Sequence, residues 1–259
     1  MFLLYRLSGA LSSKVTFQNT DDIEVLRTGH AIVSRKTQFI PGGSGVELDV
    51  FNSDAFSDHQ KRELRASYGI DPEAPVVLMV GRLLLDKGVR EFAEAARLVK
   101  STRPEVTFVL VGPRDIGNRR VVPQELLDEF SGDGTLLYMG QREDVPALMA
   151  ISDIVTAPSY YREGVPRILL EAAAMAKGLI ATDMPGLRDV VSNGENGILI
   201  PPRDAGSLAR AVMELVTDED LRSRYGLASL ARARKEFDSR KVVDVYVDLY
   251  QSLWARSNH

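Results

Sequence analysis

Two glutamates with seven residues between them, Glu163 and Glu171 in the stretch REGVPRILLEAAAM, are of a type and spacing that could do chemistry. Gly164 and Pro166 mark a helix start between them, with Pro166 near the first helical position. A helix is therefore expected over Val165–Ala176, with Glu163 in the loop before it and Glu171 about a turn and a half along. That offset can aim both carboxylates at one ligand. The helix start adds free N–H groups and a positive dipole end, a ready site for phosphate. The same spacing also describes two surface glutamates near a helix N-terminus. A second cluster is GRLLLDKG, where Arg82 and Lys87 bracket a loop after an apolar run. Arginine grips phosphate with a planar fork and lysine as a point charge. Alone, the two could be solvated charges. At one sheet edge with the glutamates they form a set: two cations for a diphosphate and two carboxylates for hydroxyls.

The elements that would position these residues follow from the pattern. Apolar runs at Val76–Gly81, Thr107–Gly112, Leu136–Gly140, Asp153–Ser159, Gly178–Thr182 and Gly197–Pro201 read as strands. Between them lie helical stretches. Val89, Phe92, Ala96 and Val99 share one helical face, as do Leu208, Ala211, Val212 and Leu215 after a capping Asp204. Pro123–Phe130 and Asp144–Ile151 read as shorter helices. Strands that are apolar throughout and alternate with helices predict an α/β fold, a doubly wound parallel sheet covered on both faces. Ligands of such sheets bind outside the carboxyl ends of the strands, which is where the loops after Gly81, Gly112, Gly140, Ser159 and Thr182 lie.

The first 75 residues read differently. Val15–Gln18 and Gln38–Ile40 are short strand signals flanking a helix candidate at Asp21–Arg27, and PGGSG (Pro41–Gly45) reads as a flexible loop or hinge. Two such strands bury too little to stand alone. At the far end Val242, Tyr246, Leu249 and Leu253 line one helix face, and near the start Leu3, Leu7 and Leu11 do the same. The Arg-rich stretch Arg222–Arg240 reads as a solvated helix face, and Asp218-Glu219-Asp220 as acidic residues at a helix start.

Composition sets outer bounds. The 259 residues are 44% hydrophobic and 26% charged, an ordinary globular balance that excludes a disordered or collagenous chain. The formal net charge of −4 argues against a nucleic-acid partner. There is no cysteine for a disulfide or thiolate, and the three histidines, His30, His59 and His259, are too dispersed for a metal site. No run of eighteen apolar residues occurs, and Arg6 interrupts the apolar start, which speaks against a signal peptide. The expectation is a cytoplasmic protein, with association at a membrane surface left open.

At these residues the sequence resembles the retaining GT-B glycosyltransferases of family 4, from about Val15 to Tyr250. Gly81-Arg82 with Lys87-Gly88 resembles the family's pyrophosphate-binding loop, and Glu163 to Glu171 its E-x7-E motif. NGENGILIPPRD (Asn193–Asp204) is similar to its NG-x-x-G segment. FQNTDD and IPGGSGVELDVF resemble the end of its N-terminal domain and the interdomain linker. The resemblance implies a Rossmann-like donor domain over 76–235. It makes residues 1–45 a remnant of the acceptor domain, 46–75 a linker and connecting helix, and 236–259 a C-terminal helix packing back toward the N-terminal domain. Arg82 and Lys87 would hold the donor diphosphate, aided by backbone N–H groups at Gly164 and Val165. Glu163 would contact sugar hydroxyls as the catalytic-site residue, and Glu171 the ribose. The donor would be a UDP- or GDP-type nucleotide-sugar and the acceptor a glycan or lipid-linked glycan of bacterial surface polysaccharide synthesis. No cofactor or metal is implied.

Three departures stand out. Ala176-Lys177-Gly178 replaces the family's Gly-x-Pro, Arg188 or Asp189 stands where it often has Glu, and most of an N-terminal domain with its catalytic-site histidine is missing. His30 lies in the wrong region to replace it. Three readings follow: a donor-binding portion of a sugar transferase, a nucleotide-sugar-binding chain that is non-catalytic or completed by a partner, and a sugar-nucleotide epimerase of the same fold. The open edge of the Val15–Gln18 and Gln38–Ile40 strand pair, with the apolar face of the C-terminal helix around Tyr246 and Leu253, predicts self-association.

Overall fold

The structure is a computed structural model that describes residues 2–30, 32 and 34–257; His259 lies outside them. Six parallel strands form its main sheet: β3 (Val76–Val80), β4 (Thr107–Val111), β5 (Leu137–Tyr138), β6 (Ile154–Ala157), β7 (Gly178–Thr182) and β8 (Gly197–Ile200). All six fall inside the apolar runs; Gly178–Thr182 is matched residue for residue, and the other five are trimmed where the backbone leaves the ladder. The third is cut to two residues because it is an edge strand with one neighbour. Spatial order is β5-β4-β3-β6-β7-β8. The chain winds outward from β3 through β4 to β5, then returns to the other side of β3 with β6. That reversal opens a crevice at the carboxyl ends of β3 and β6, where ligands of doubly wound sheets bind.

Side chains alternate between two cores, as the pleat requires. Leu78, Val109, Val155 and Leu179 face one, with α6 (Val145–Ile151) and α7 (Arg167–Ala174) over them. Val77, Phe108, Ile154 and Ile180 face the other, under α4 (Val89–Lys100), α5 (Gln124–Gly132) and α8 (Ala205–Thr217). Phe92 of α4 meets Phe108 edge-on at 5.4 Å. Asp204 caps α8 by accepting from Ser207 N. Asp218 caps α9 (Glu219–Arg232) in the same way, so the acidic triplet marks a helix start.

The N-terminal portion holds α1 (Phe2–Leu11), β1 (Val15–Phe17), α2 (Thr20–Thr28) and β2 (Thr37–Phe39). The two strands pair with each other in parallel, giving a two-stranded sheet over a small cluster of Phe17 and Leu26. PGGSG is not a loose loop. Gly42 and Gly45 take positive φ and press against Phe237 and Ser239, leaving no room for a Cβ. Val46 bridges to Asp238, so the segment is stitched to the π turn Ala233–Phe237 and the start of α10 (Ser239–Ser257). In between, α3 (Asp58–Ser67) is anchored by Arg65, which reaches Ile151 O and Asp153, and Tyr68 bonds Asp144.

The Arg-rich stretch is a solvated face only in part. Arg232 donates to Asp189 O and Val190 O and stacks on Phe237. Among the described residues no helix is long and apolar enough to cross a membrane.

Candidate functional site

The loop after β3 begins with Gly81-Arg82 and makes a single tight turn at Leu85–Lys87 before α4. Gly88 closes that turn in the left-handed region at φ 83°, and a Cβ there would lie 2.2 Å from Pro158 O. This close approach ties the β3 loop to the β6 loop and sets Lys87 beside Glu163. Lys87 Nζ donates to Glu163 Oε2 at 2.5 Å, both side chains being about four-fifths buried. Arg82 is exposed over more than half its side chain and leans on Asp115 at 3.4 Å.

Arg82, Lys87 and Glu163 line one cavity of about 190 Å³ at the crevice between β3 and β6. Thr156, Ser159, Pro166, Arg167 and Ile168 complete much of its wall. Thr156 Oγ1 is buried there without a partner. Thr182 donates to Ser159 O, holding the β6 loop against β7.

The helix begins later than its sequence suggests. Pro166 occupies the cap and α7 starts at Arg167, because Pro166 keeps extended backbone at φ −70° and ψ 121°. The first-turn N–H groups with no acceptor one turn back therefore belong to Arg167 and Ile168, on the cavity wall. Gly164 and Val165 play other parts. The Val165 side chain is buried against Gly43, and a Cβ on Gly164 would lie 2.4 Å from Gln18 Oε1. Glu171 stands on α7 with its side chain mostly buried and Arg167 at 3.6 Å. Burial pushes its carboxyl above the usual carboxylate range, with Arg167 opposing the shift. Glu171 is not among the cavity-lining residues that hold Glu163.

The FQNTDD segment turns out to be the strut of this site. Buried Asn19 caps α2 by accepting from Asp22 N. Asp22 pairs with Arg162 at 2.8 Å, next to Glu163, and Asp21 pairs with Arg188 at 3.4 Å. Arg188 also holds Asp183 at 2.8 Å, and Asp189 accepts from Gly186 N. Sequence reasoning missed Gln18, Asp22 and Arg162 as site neighbours, since partners well over a hundred positions apart leave no local signal; it missed Thr156 because that residue reads as one more position of the apolar β6 run. Among the described residues no group of His, Asp or Glu could hold a metal ion.

Comparison with known proteins supplies the family. Residues 60–231 match the model for "Glycosyl transferases group 1". The chain is 31% identical over 247 residues to the N,N'-diacetylbacillosaminyl-diphospho-undecaprenol alpha-1,3-N-acetylgalactosaminyltransferase of Campylobacter jejuni, covering 95% of this chain and 62% of that enzyme. It is also 31% identical to the alpha-D-kanosaminyltransferase of Streptomyces kanamyceticus, over 66% of this chain and 44% of that one. The chain thus spans about half to two-thirds of the length of these relatives. Anabaena HepE, solved in complex with UDP, superposes with a TM-score of 0.85 at 24% identity, over 96% of this chain and 66% of HepE. The likeness in fold confirms the GT-B, Rossmann-like architecture. With a switch-point crevice walled by Arg82, Lys87 and Glu163, and a family match over two-thirds of its length, the chain belongs to the group 1 glycosyl transferases.

Proposed function

We propose that this chain is the donor-binding part of a glycosyltransferase that moves a sugar, with retention, from a nucleotide-sugar to a glycan or lipid-linked acceptor in bacterial polysaccharide synthesis. The observation that carries the proposal is the meeting of Arg82, Lys87 and Glu163 at one cavity beside the start of α7. Arg82 and Lys87 take the diphosphate, and the Arg167 and Ile168 N–H groups take the phosphate oxygen nearest the helix. Glu163 accepts from sugar hydroxyls and Glu171 from the ribose. Fixed cations at the leaving diphosphate supply the main transition-state stabilisation, so no metal is required. The donor class is UDP-type, by analogy with the UDP-bound structure of HepE. Residues 76–235 form the donor-binding unit, and the acceptor is positioned by the N-terminal side. Nothing in the comparisons favours an epimerase.

The test is calorimetric titration of the chain with UDP, GDP and UDP-glucose, with and without EDTA. UDP binding unaffected by EDTA is the expected result. Arg82→Ala should weaken it by ~1.5–3 kcal/mol, the value of charged hydrogen bonds. Equal UDP affinity in Arg82→Ala and the parent would remove Arg82 from the site. Association at a membrane surface and with a second copy belongs to the same proposal. Leu3, Leu4, Leu7 and Leu11 of α1 and Val243, Val247, Tyr250 and Trp254 of α10 are exposed apolar groups that invite it. Light scattering after size exclusion decides the second point, with a monodisperse monomer contradicting it.

A further inference from the structure

Glu163 sits on the loop between β6 and α7, and the two halves of that loop are held by different parts of the molecule. The first half is fixed within the donor-binding unit. Tyr160 N–H donates to Asp86 O, and the Tyr160 ring lies under the Arg203 guanidinium at 4.5 Å. From Arg162 onward the N-terminal portion takes over. Arg162 donates to Asp22 Oδ1 at 2.8 Å. A Cβ on Gly164 would lie 2.4 Å from Gln18 Oε1, and one on Gly43 would lie 2.9 Å from Val165. The loop after β7 closes the other side. A Cβ on its Gly186 would lie 2.0 Å from Gly164 O and 2.6 Å from Glu163 O. That loop is tied to α2 in turn, through Arg188 and Asp21 at 3.4 Å. The backbone at Glu163 is thus wedged between α2 and the loop after β7. The glycine contacts are walls that limit movement; the Asp22–Arg162 pair supplies a directional pull, attached one residue before Glu163. Asp22 is itself oriented. Buried Asn19 donates to its Oδ2 at 2.9 Å, which leaves Oδ1 for Arg162.

We propose that Asp22 is a positioning residue for Glu163: acting through Arg162, it holds the Glu163 loop from the N-terminal side and so sets the preference for a sugar-bearing donor over the free nucleotide. The proposal rests on the donor reading above, in which Glu163 meets the sugar and Arg82 and Lys87 meet the diphosphate. Both members of the pair are about half exposed, so the pair adds little to the stability of the fold. What it fixes is place. A hydrogen bond weakens steeply as its length and angle depart from the optimum, so a shift of Glu163 on the order of 1 Å is enough to lose the sugar hydroxyls. Arg82 is on another loop with its own partner, Asp115, and does not depend on Asp22.

The experiment uses the whole chain and a charge swap. Asp22→Arg sets two like charges against each other and pushes the loop away. It should weaken UDP-glucose at least fivefold in calorimetry, without weakening free UDP by more than threefold. Arg162→Asp, which leaves α2 and its cap intact, should do the same with a melting temperature within about 3 °C of the parent. Asp22→Arg combined with Arg162→Asp reverses the pair and should return UDP-glucose to within threefold of the parent. A residue that only supported the fold would weaken both ligands together and would not be rescued by the swap. A second arm needs no ligand. In amide correlation spectra of the unliganded chain, Asp22→Arg should shift the Gly164 and Val165 signals, and the swap should bring them back toward the parent. Three results overturn the proposal: UDP-glucose affinity indifferent to both single variants, free UDP weakened as much as UDP-glucose, or Gly164 and Val165 signals unmoved by Asp22→Arg. Absence of UDP binding in the parent would sink the donor reading instead, and the spectra would still decide whether Asp22 positions the loop.

Discussion

Glu163→Gln is the perturbation with the most to say, because Glu163 holds Lys87 in the unliganded chain. A phosphate that recruits Lys87 must share it with that carboxylate. Two unit charges 4 Å apart interact by about 1 kcal/mol in water and about 4 kcal/mol at an effective dielectric of 20. The pair is about one-fifth exposed, so the relief on neutralising Glu163 belongs in the lower half of that range. Free UDP should bind Glu163→Gln about 1–2 kcal/mol more tightly, roughly 5- to 30-fold in Kd. UDP-glucose gains the same relief and loses a charged acceptor for its hydroxyls, worth ~1.5–3 kcal/mol. The ratio of the two dissociation constants cancels the common term. It should shift against the sugar donor by roughly 10- to 150-fold. Calorimetry with both ligands on parent and variant reads the ratio directly. An unchanged ratio, or weaker binding of free UDP, would refute the assignment of Glu163 to the sugar and of Lys87 to the phosphate.

Other outcomes follow from the buried groups. Glu171→Gln should weaken UDP and UDP-glucose alike, by ~1.5–3 kcal/mol, if the ribose is its partner. Burial holds the Glu171 pKa above its ordinary 4.5, so the folded state keeps that proton longer than the unfolded one. The resulting stability is full below pH 4.5 and is lost as pH rises through the raised value. Glu171→Gln should therefore melt higher than the parent at pH 7, and a lower melting point would contradict the burial argument. Lys177, half-buried and donating to Ala150 O and Ser152 O, has its pKa lowered from 10.5 to about 8, with desolvation the largest cause. The unfolded chain then holds the proton longer, so the parent should gain up to about 3 kcal/mol between pH 8 and 10.5. Urea titrations of parent and Lys177→Met across that interval test the difference in slope. Ala176 sits at φ 54°, where a Cβ is strained. Ala176→Gly should stabilise the fold by about 1 kcal/mol in thermal unfolding, and no gain would mean that local packing absorbs the strain.

Much of this protein is written locally. Val76–Val80, Thr107–Val111 and Gly178–Thr182 are apolar on both faces, and only a parallel sheet covered by helices satisfies such runs. Asp204, Asp218 and the face of α4 follow from capping chemistry and the 3.6-residue period, which act within one or two turns. Arg82, Lys87 and Glu163 were legible because a strand's end fixes where its loop emerges.

Tertiary structure decided the rest. That β6 pairs with β3 and not with β5 depends on which chain segments cover which face, and this pairing alone puts the Lys87 loop against the Glu163 loop. The start of α7 slipped past Pro166 because Val165 is drawn into the core beside Gly43, a contact between residues far apart in sequence. The same holds for Asp22 with Arg162, Asp21 with Arg188, and Asp86 with Arg120. An ion pair leaves no periodicity in the chain; each member reads as an ordinary surface charge until the fold removes the water between them.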